Sequence, residues 1–177
     1  MNFRDVYDAH LSFVWRSLRR LGVPERSARD AAQDVFLVVY RRLPAFDGGA
    51  KISTWLFRIC LRTAKDYRRR AHARHELLDG TDLEMRAAPG ADAEREAQRR
   101  EGLALVEAAL DGLSLEQRAV FVLFELEDMT GEEISETLGI PLGTVYSRLR
   151  LARAEFWRGI ERCRSRRTGR PPAVGMS

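Results

Sequence analysis

MTGEEISETLGIPLGTVYSRLRLARAEF, residues Met129–Phe156, carries two helix signals separated by a turn signal. Thr130, followed three residues later by Glu133, spells a capping box: the hydroxyl accepts an N–H bond from the first turn while the carboxylate reaches back to the cap. Ile134 and Leu138 then share one helical face. Gly139 can end that helix, because glycine alone takes positive φ at no steric cost. Pro141 has no N–H to lose at the start of the next helix. There Val145, Leu149 and Ala152 recur at i, i+4 and i+7 and are predicted to face inward. Tyr146, Ser147, Arg150 and Arg153 are left pointing out, with Thr144 at the amino end. The pattern predicts a helix-turn-helix whose second helix has a basic, hydrogen-bonding outer face. A plain helical hairpin with solvated arginines would explain the charge but not the box, the turn and the proline start together.

Composition sets bounds around this element. The 177 residues allow one or two domains with modest cores. The net charge of +4 is unevenly spread: Glu76–Glu96 holds seven acidic residues against two basic ones, Arg86 and Arg95, and is net −5, so the rest carries +9. Basic ends around an acidic middle suit a nucleic-acid binder whose linker is kept off phosphate. Cys60 and Cys163 show no metal or redox spacing, and Cys60 sits in an apolar helical run as a small core residue. No apolar run approaches the length of a membrane span and no signal-peptide core opens the chain. The expectation is a cytoplasmic protein with reduced thiols and no membrane insertion.

Towards the amino end, Tyr7, Leu11, Val14, Leu18 and Leu21 write a first helix with one inward face, ended by Gly22 before Pro24. A second helix, about Arg26 to Leu43, is predicted to bury Ala32, Val35, Phe36 and Val39, and to show Asp30, Gln33, Asp34, Leu37 and Arg41 outward. An acidic solvated face explains that outer row equally well. A loop from Pro44 to Lys51 carries one aromatic, Phe46. Ser53 is predicted to cap a third helix to about Arg70, with Leu56, Ile59 and Thr63 on one face. Its other face lines up Trp55, Arg58, Arg62, Asp66 and Arg69, with Lys65 beside them. An aromatic and a row of cations on one stripe is what a single strand of nucleic acid needs, a stacking platform beside partners for phosphate. Trp55 can instead belong to the core.

From Ala71 to Gln98 the hydrophobic period is lost, and Gly80, Pro89 and Gly90 mark a flexible linker. His72 and His75 stand three apart without further ligands, so no metal site is read there. Leu103, Val106, Leu110 and Leu113 restore the period. Ser114 and Gln117 form a second capping box, opening a helix with Val120, Leu123 and Phe124 inward. The basic, then Pro/Gly-rich tail from Arg164 is expected to be disordered. The predicted architecture is all-α, with no strand: a helical domain over 1–75, an acidic flexible linker over 76–98, a helix-turn-helix domain over 99–163, and a tail over 164–177. No catalytic constellation, phosphate-cradling loop or metal-ligand cluster is visible, so neither an enzyme nor a cofactor is expected.

The chain resembles a bacterial RNA polymerase sigma factor of the extracytoplasmic-function (ECF) class. DAAQDVFLVVYRRLPAFDGGAKISTWLFRICLRTAKDYRRR, Asp30–Arg70, resembles the family's second region, and EEISETLGIPLGTVYSRLRLAR, Glu132–Arg153, the second half of its fourth. The two occur in the family's order. The resemblance implies docking on the clamp helices of the polymerase's largest subunit through Asp30, Gln33, Asp34, Leu37 and Arg41. It implies capture of the melted non-template −10 strand by Phe46, Lys51, Trp55, Arg58, Arg62, Lys65, Asp66 and Arg69, with Arg62 and Asp66 helping to choose the base. It implies a second helix in the major groove of the −35 element. There Tyr146, Ser147 and Arg150 face base edges, and Thr144, Arg148 and Arg153 are phosphate candidates. The second domain would also grip a flap of the second-largest subunit. Relatives are often held by an anti-sigma protein clamped across both domains, a partner the resemblance allows here. Tyr146 and Leu151 stand where a basic residue is common, Arg62 where Asn is frequent and Arg29 where an acid is frequent; the first three bear on promoter choice and the last on docking. The competing functions are a stand-alone helix-turn-helix regulator, which would leave the Trp55–Arg69 stripe idle, and a helical nuclease, which would need clustered carboxylates for a metal.

Overall fold

The structure, a computed structural model, describes residues 2–75 and 93–168. The central part of the expected linker and the tail from residue 169 lie outside the described residues, as do the side chains of His72 and His75. The described residues fold into seven α-helices with no strand: α1 (Phe3–Arg20), α2 (Glu25–Arg42), α3 (Ile52–His75), α4 (Ala93–Asp111), α5 (Leu115–Glu125), α6 (Gly131–Leu138) and α7 (Leu142–Thr168). One 3₁₀ turn, Leu43–Ala45, follows α2. The two regions form the two expected helical domains. In the first, α1, α2 and α3 pack on one another; in the second, α4, α5 and α6 all pack on α7.

Both capping boxes form as predicted. Thr130 Oγ1 accepts from the Glu133 N–H at 3.2 Å, and the Glu133 carboxylate accepts from the Thr130 N–H at 3.0 Å. Ser114 and Gln117 make the same reciprocal pair at 3.2 and 3.1 Å. Gly139 takes φ 64° and ψ 39°, ending α6 in the left-handed conformation. Three residues then separate α6 from α7. Beneath that turn Val145, Leu149 and Ala152 are buried, as is Ile134 of α6. Gly22, at φ +89°, closes α1: its own N–H bonds to the Arg19 carbonyl and that of Val23 to the Leu18 carbonyl, at 2.9 and 3.0 Å.

Four expectations are corrected. The inward face of α1 is rotated: Val6, Val14, Ser17 and Leu18 are buried, while Tyr7 and Leu11 are exposed. Ser53 lies inside the first turn of α3 rather than capping it, and the helix runs on past Arg70 to His75. Residues 93–98 belong to α4 rather than to the linker, and 164–168 to α7 rather than to the tail. Leu103 and Val106 are exposed and Phe124 is half-buried, so α4 packs on α7 through Ala109 and Leu110 instead. An ideal Cβ on Gly159 would stand 2.9 Å from Ala109 Cα, so the α4–α7 crossing needs glycine there.

One hydrophobic cluster runs through both halves of the chain. Val14, Leu18, Val35, Val39, Leu56 and Phe57 from the first half join Val120, Leu123, Ile134 and Val145 from the second. A smaller cluster of Leu110, Leu113, Phe121 and Ala152 fills the far side of α7. Cys60 is buried in the larger cluster, and burial pushes its thiol up to about 12.

Candidate nucleic-acid and polymerase interface

The second helix of the helix-turn-helix presents Tyr146, Ser147, Arg150 and Arg153 outward, with Thr144 and Arg148 half-buried. These positions are not equivalent. Ser147 Oγ donates to the Thr144 carbonyl at 3.1 Å, a local bond that a base edge can displace. Arg153 Nε donates to Glu125 at 2.6 Å, and its guanidinium lies 5.1 Å from the centre of the Phe124 ring, so α5 already holds it. Tyr146 leans over the start of α6, where a Cβ on Gly131 would meet its hydroxyl at 2.6 Å. Gly131 therefore leaves room for the end of the tyrosine side chain at the start of α6.

The stripe on α3 divides in two. Trp55 packs against Phe46 with ring centres 5.0 Å apart and planes tilted by 42°, and both lean on the hydrophobic cluster. Arg58, Arg62, Lys65 and Arg69 are exposed, and Asp66 pairs with Arg69 at 3.4 Å. Two of the cations reach the other domain. Lys51 Nζ meets Glu133 at 3.0 Å, while Arg58 donates to the carbonyls of Thr137, at 2.5 Å, and Glu136. Glu133 is held below the usual carboxylate range by the Thr130 N–H it accepts and then by Lys51. Arg58, Arg62, Lys65 and Arg148 line one cleft of about 520 Å³ between the domains.

On α2, Asp30, Gln33, Asp34, Leu37 and Arg41 are all exposed, as predicted. Asp34 accepts a 2.8 Å bond from the Tyr67 hydroxyl, whose proton is retained to about 12 through burial and that bond. Gln33 and Leu37 also line a groove of about 1050 Å³, whose other walls include Tyr7, Leu11, Trp15 and Tyr40. Leu37 and Tyr40 are 53% and 64% exposed, an unusual outlay of apolar surface on a helical face. Sequence reasoning found one wall of this groove and assigned the other to the core. A tryptophan at position 15, four residues from Leu11 and off the inward series, was the available signal.

Among the described residues no group of three or more His, Cys, Asp or Glu could hold a metal. No helix among them is long and apolar enough to cross a membrane.

Residues 6–74 match Sigma-70 region 2, and residues 103–156 match Sigma-70, region 4. The chain is 32% identical over 158 residues to the RNA polymerase sigma factor NccH of Alcaligenes xylosoxydans xylosoxydans, covering 87% of this chain and 84% of that one. It is also 32% identical over 138 residues to the ECF RNA polymerase sigma-E factor of Escherichia coli strain K12, covering 74% of this chain and 72% of that one. The chain belongs to the ECF sigma factors of RNA polymerase. Among solved structures, it resembles CnrH in complex with the cytosolic domain of CnrY, with a TM-score of 0.63 and 27% identity over 87% of this chain and 84% of that one. The fold also matches the sigma factor RpoE of Bartonella quintana, solved with the anti-sigma factor NepR, with a TM-score of 0.65 at 22% identity over 87% of this chain and 93% of that one. As a sigma factor the protein binds core RNA polymerase and directs it to promoter DNA; it is not a stand-alone regulator, and sigma factors are not enzymes.

The sigma factor's most buried charge was not anticipated. Arg118 of α5 is 1% exposed, and burial lowers its pKa while Asp111, 2.7 Å away, opposes the shift. An arginine in the first turn after a capping box reads as solvated, and no sequence signal contradicts that.

Proposed function

We propose that this sigma factor reads its promoters with the two faces just described. The amino half of α7 lies in the major groove of the −35 element, with Tyr146, Ser147 and Arg150 at base edges and Thr144, Arg148 and Arg153 towards phosphate. Phe46, Lys51, Trp55, Arg58, Arg62, Lys65, Asp66 and Arg69 take the melted −10 strand. The outer row of α2, from Asp30 to Arg41, docks on the clamp helices of the largest subunit, and the second domain grips the flap of the second-largest. The domains correspond to residues 1–75 and 99–163, and the protein works in the cytoplasm, where an anti-sigma protein is a fitting partner.

The observation that carries this reading is the polar outer face of α7. It stands on a buried row, Val145, Leu149 and Ala152, which fixes its orientation, and α6 braces it through a complete capping box. A recognition helix needs such rigidity, since a base-reading side chain must arrive in register.

The test is reconstitution of the purified chain with core polymerase, followed by initiation assays on genomic fragments. Discrete start sites, once aligned, define both promoter elements. On such a promoter Arg150→Ala should relax preference at one −35 position and cost about 1–3 kcal/mol, the worth of a bidentate base contact. Unchanged preference in that variant would mean that α7 reads DNA through another face.

A further inference from the structure

The exposed stripe of α7 continues past the residues assigned to the −35 element. Tyr146, Arg150, Arg153 and Trp157 recur at i, i+4, i+7 and i+11, the spacing of one helical face, and all four are exposed. Trp157 is 62% exposed, although an indole is ordinarily among the better covered side chains. Gly159, two residues on and so about 200° around the helix, meets the α4 backbone. The indole therefore stands on the side of α7 away from α4. The match to region 4 ends at residue 156, one position short of it.

The indole is open but not loose. A ladder of rings reaches it from the smaller hydrophobic cluster, starting at Phe121. Phe121 and Phe156 have ring centres 4.8 Å apart. Phe156 in turn meets Trp157 at 5.7 Å with planes 77° apart, an edge-on contact. The neighbouring charges do not compete for the same ground. Arg158 is turned back on its own helix, to Glu155 at 2.8 Å and the Ala154 carbonyl at 3.3 Å. Glu161, one turn further along the stripe, is an exposed carboxylate that repels phosphate. Between Arg153 and Glu161 the stripe thus offers one group, a neutral ring with a single N–H donor and no acceptor.

We propose that Trp157 contacts the backbone of the promoter duplex just outside the −35 element, its indole N–H donating to a phosphate oxygen while the ring lies on the adjoining deoxyribose. The proposal rests on the placing of Tyr146 and Arg150 at −35 base edges. Trp157 is about 16 Å from Tyr146 along the helix, at about 1.5 Å per residue, whereas the major groove is about 12 Å wide. A helix whose amino half reads bases therefore carries position 157 out to the strand that walls the groove. Contacts to that strand set register without reading sequence. A ring held by the ladder from Phe121 makes such a stop at a fixed distance from Arg150. Being neutral, it displaces no counterion, which separates it from an arginine in the same place.

The test uses holoenzyme, core polymerase with the full chain, on a promoter defined by the reconstitution above. A 5-bromodeoxyuridine is placed singly at each position of the −35 element and of its flanks, ultraviolet light joins it to an adjacent aromatic ring, and tryptic peptides are mapped. The peptide Ala154–Arg158, which holds Trp157, should be joined to a flanking position and to none inside the element. That product should vanish in Trp157→Ala. The same variant should bind the promoter about tenfold more weakly, the scale of one hydrogen bond to a charged group, and equally for every −35 substitution. Its log-affinity should keep the wild-type slope against log salt, whereas Arg153→Ala should flatten that slope by about 0.9. Trp157→Phe, a ring without the N–H, should recover only part of the loss. Wild-type affinity in Trp157→Ala overturns the proposal, as does a changed −35 preference. A loss of affinity with no flanking cross-link overturns it too, since the indole would then touch protein. If Arg150→Ala leaves −35 preference unchanged and no −35 position joins to a peptide of α7, the base-reading assignment itself falls; with that assignment intact, only the role of Trp157 does.

Discussion

At the scale of single residues, the helix-turn-helix depends on a glycine that its turn does not require. Gly139 supplies a positive φ, but Gly131 is there for space: a Cβ would meet the Tyr146 hydroxyl at 2.6 Å and its Cζ at 2.8 Å. The ring, half exposed, can swing away from that contact, and doing so moves its hydroxyl off the start of α6. Gly131→Ala should therefore weaken −35 binding while barely lowering, or even raising, the melting temperature, since alanine suits a first helical turn better than glycine. Combining it with Tyr146→Ala should be strongly non-additive, because once the ring is gone the methyl's two shortest contacts are gone and only the Leu142 side chain, at 3.0 Å, still has to give. Promoter affinities of the four proteins, wild type included, check this; simple additivity would show that Tyr146 and Gly131 are not in contact when DNA is bound.

At the scale of elements, helix ends and crossings do most of the positioning. The α4–α7 crossing is set by Gly159 against Ala109, where backbone meets backbone. Gly159→Val should splay the pair and cost about 1–3 kcal/mol, as overpacked sites do, with the midpoint of chemical denaturation as the measure. Elements were legible in the sequence wherever their determinants are local. The boxes at Thr130 and Ser114, the Gly139 turn and the inward row Val145–Leu149–Ala152 involve residues at most a few turns apart, so pattern and geometry coincide. The exposed row of α2 and the cations of α3 were legible for the same reason. The α1 face was not, because Tyr7 and Leu11 have the right period but line an open groove rather than the core. Apolar character marks a surface to be covered, and a partner can cover it as well as the chain itself. Nor could any local pattern show that Arg118 would be buried, since two of its three acceptors are carbonyls nearly a hundred residues away and only Asp111 is near in sequence.

For the whole molecule, the interface between domains carries its own pH response. Glu133 is held below the ordinary carboxylate value of 4.5, first by the Thr130 N–H and then by Lys51. Its contribution is therefore complete above the unfolded value and is lost as pH falls through the lower folded one. One protonation event weakens both the carboxylate half of a capping box and an interdomain bridge. Acid should open the domains and loosen the start of α6 together below about pH 4.5. Interdomain energy transfer, followed alongside helicity, should show the two changes moving as one. In Glu133→Gln the step due to this residue should disappear from both signals, leaving only the response of the remaining carboxylates.

The carbonyl end of α1 also constrains how such proteins can be recombined. Arg118 enters a socket built from Arg19, Arg20 and the Gly22 bend, and Arg68 closes its other side. Plug and socket lie in different modules, although each module is defined by its own helices. A chimera that exchanges the promoter-reading half between relatives thus transplants an arginine without its receptacle, or a receptacle without its arginine. Fusion points selected by module boundary alone would carry that mismatch into every hybrid, and grafting residues 19–22 and 68 along with the second half is the repair that the geometry prescribes.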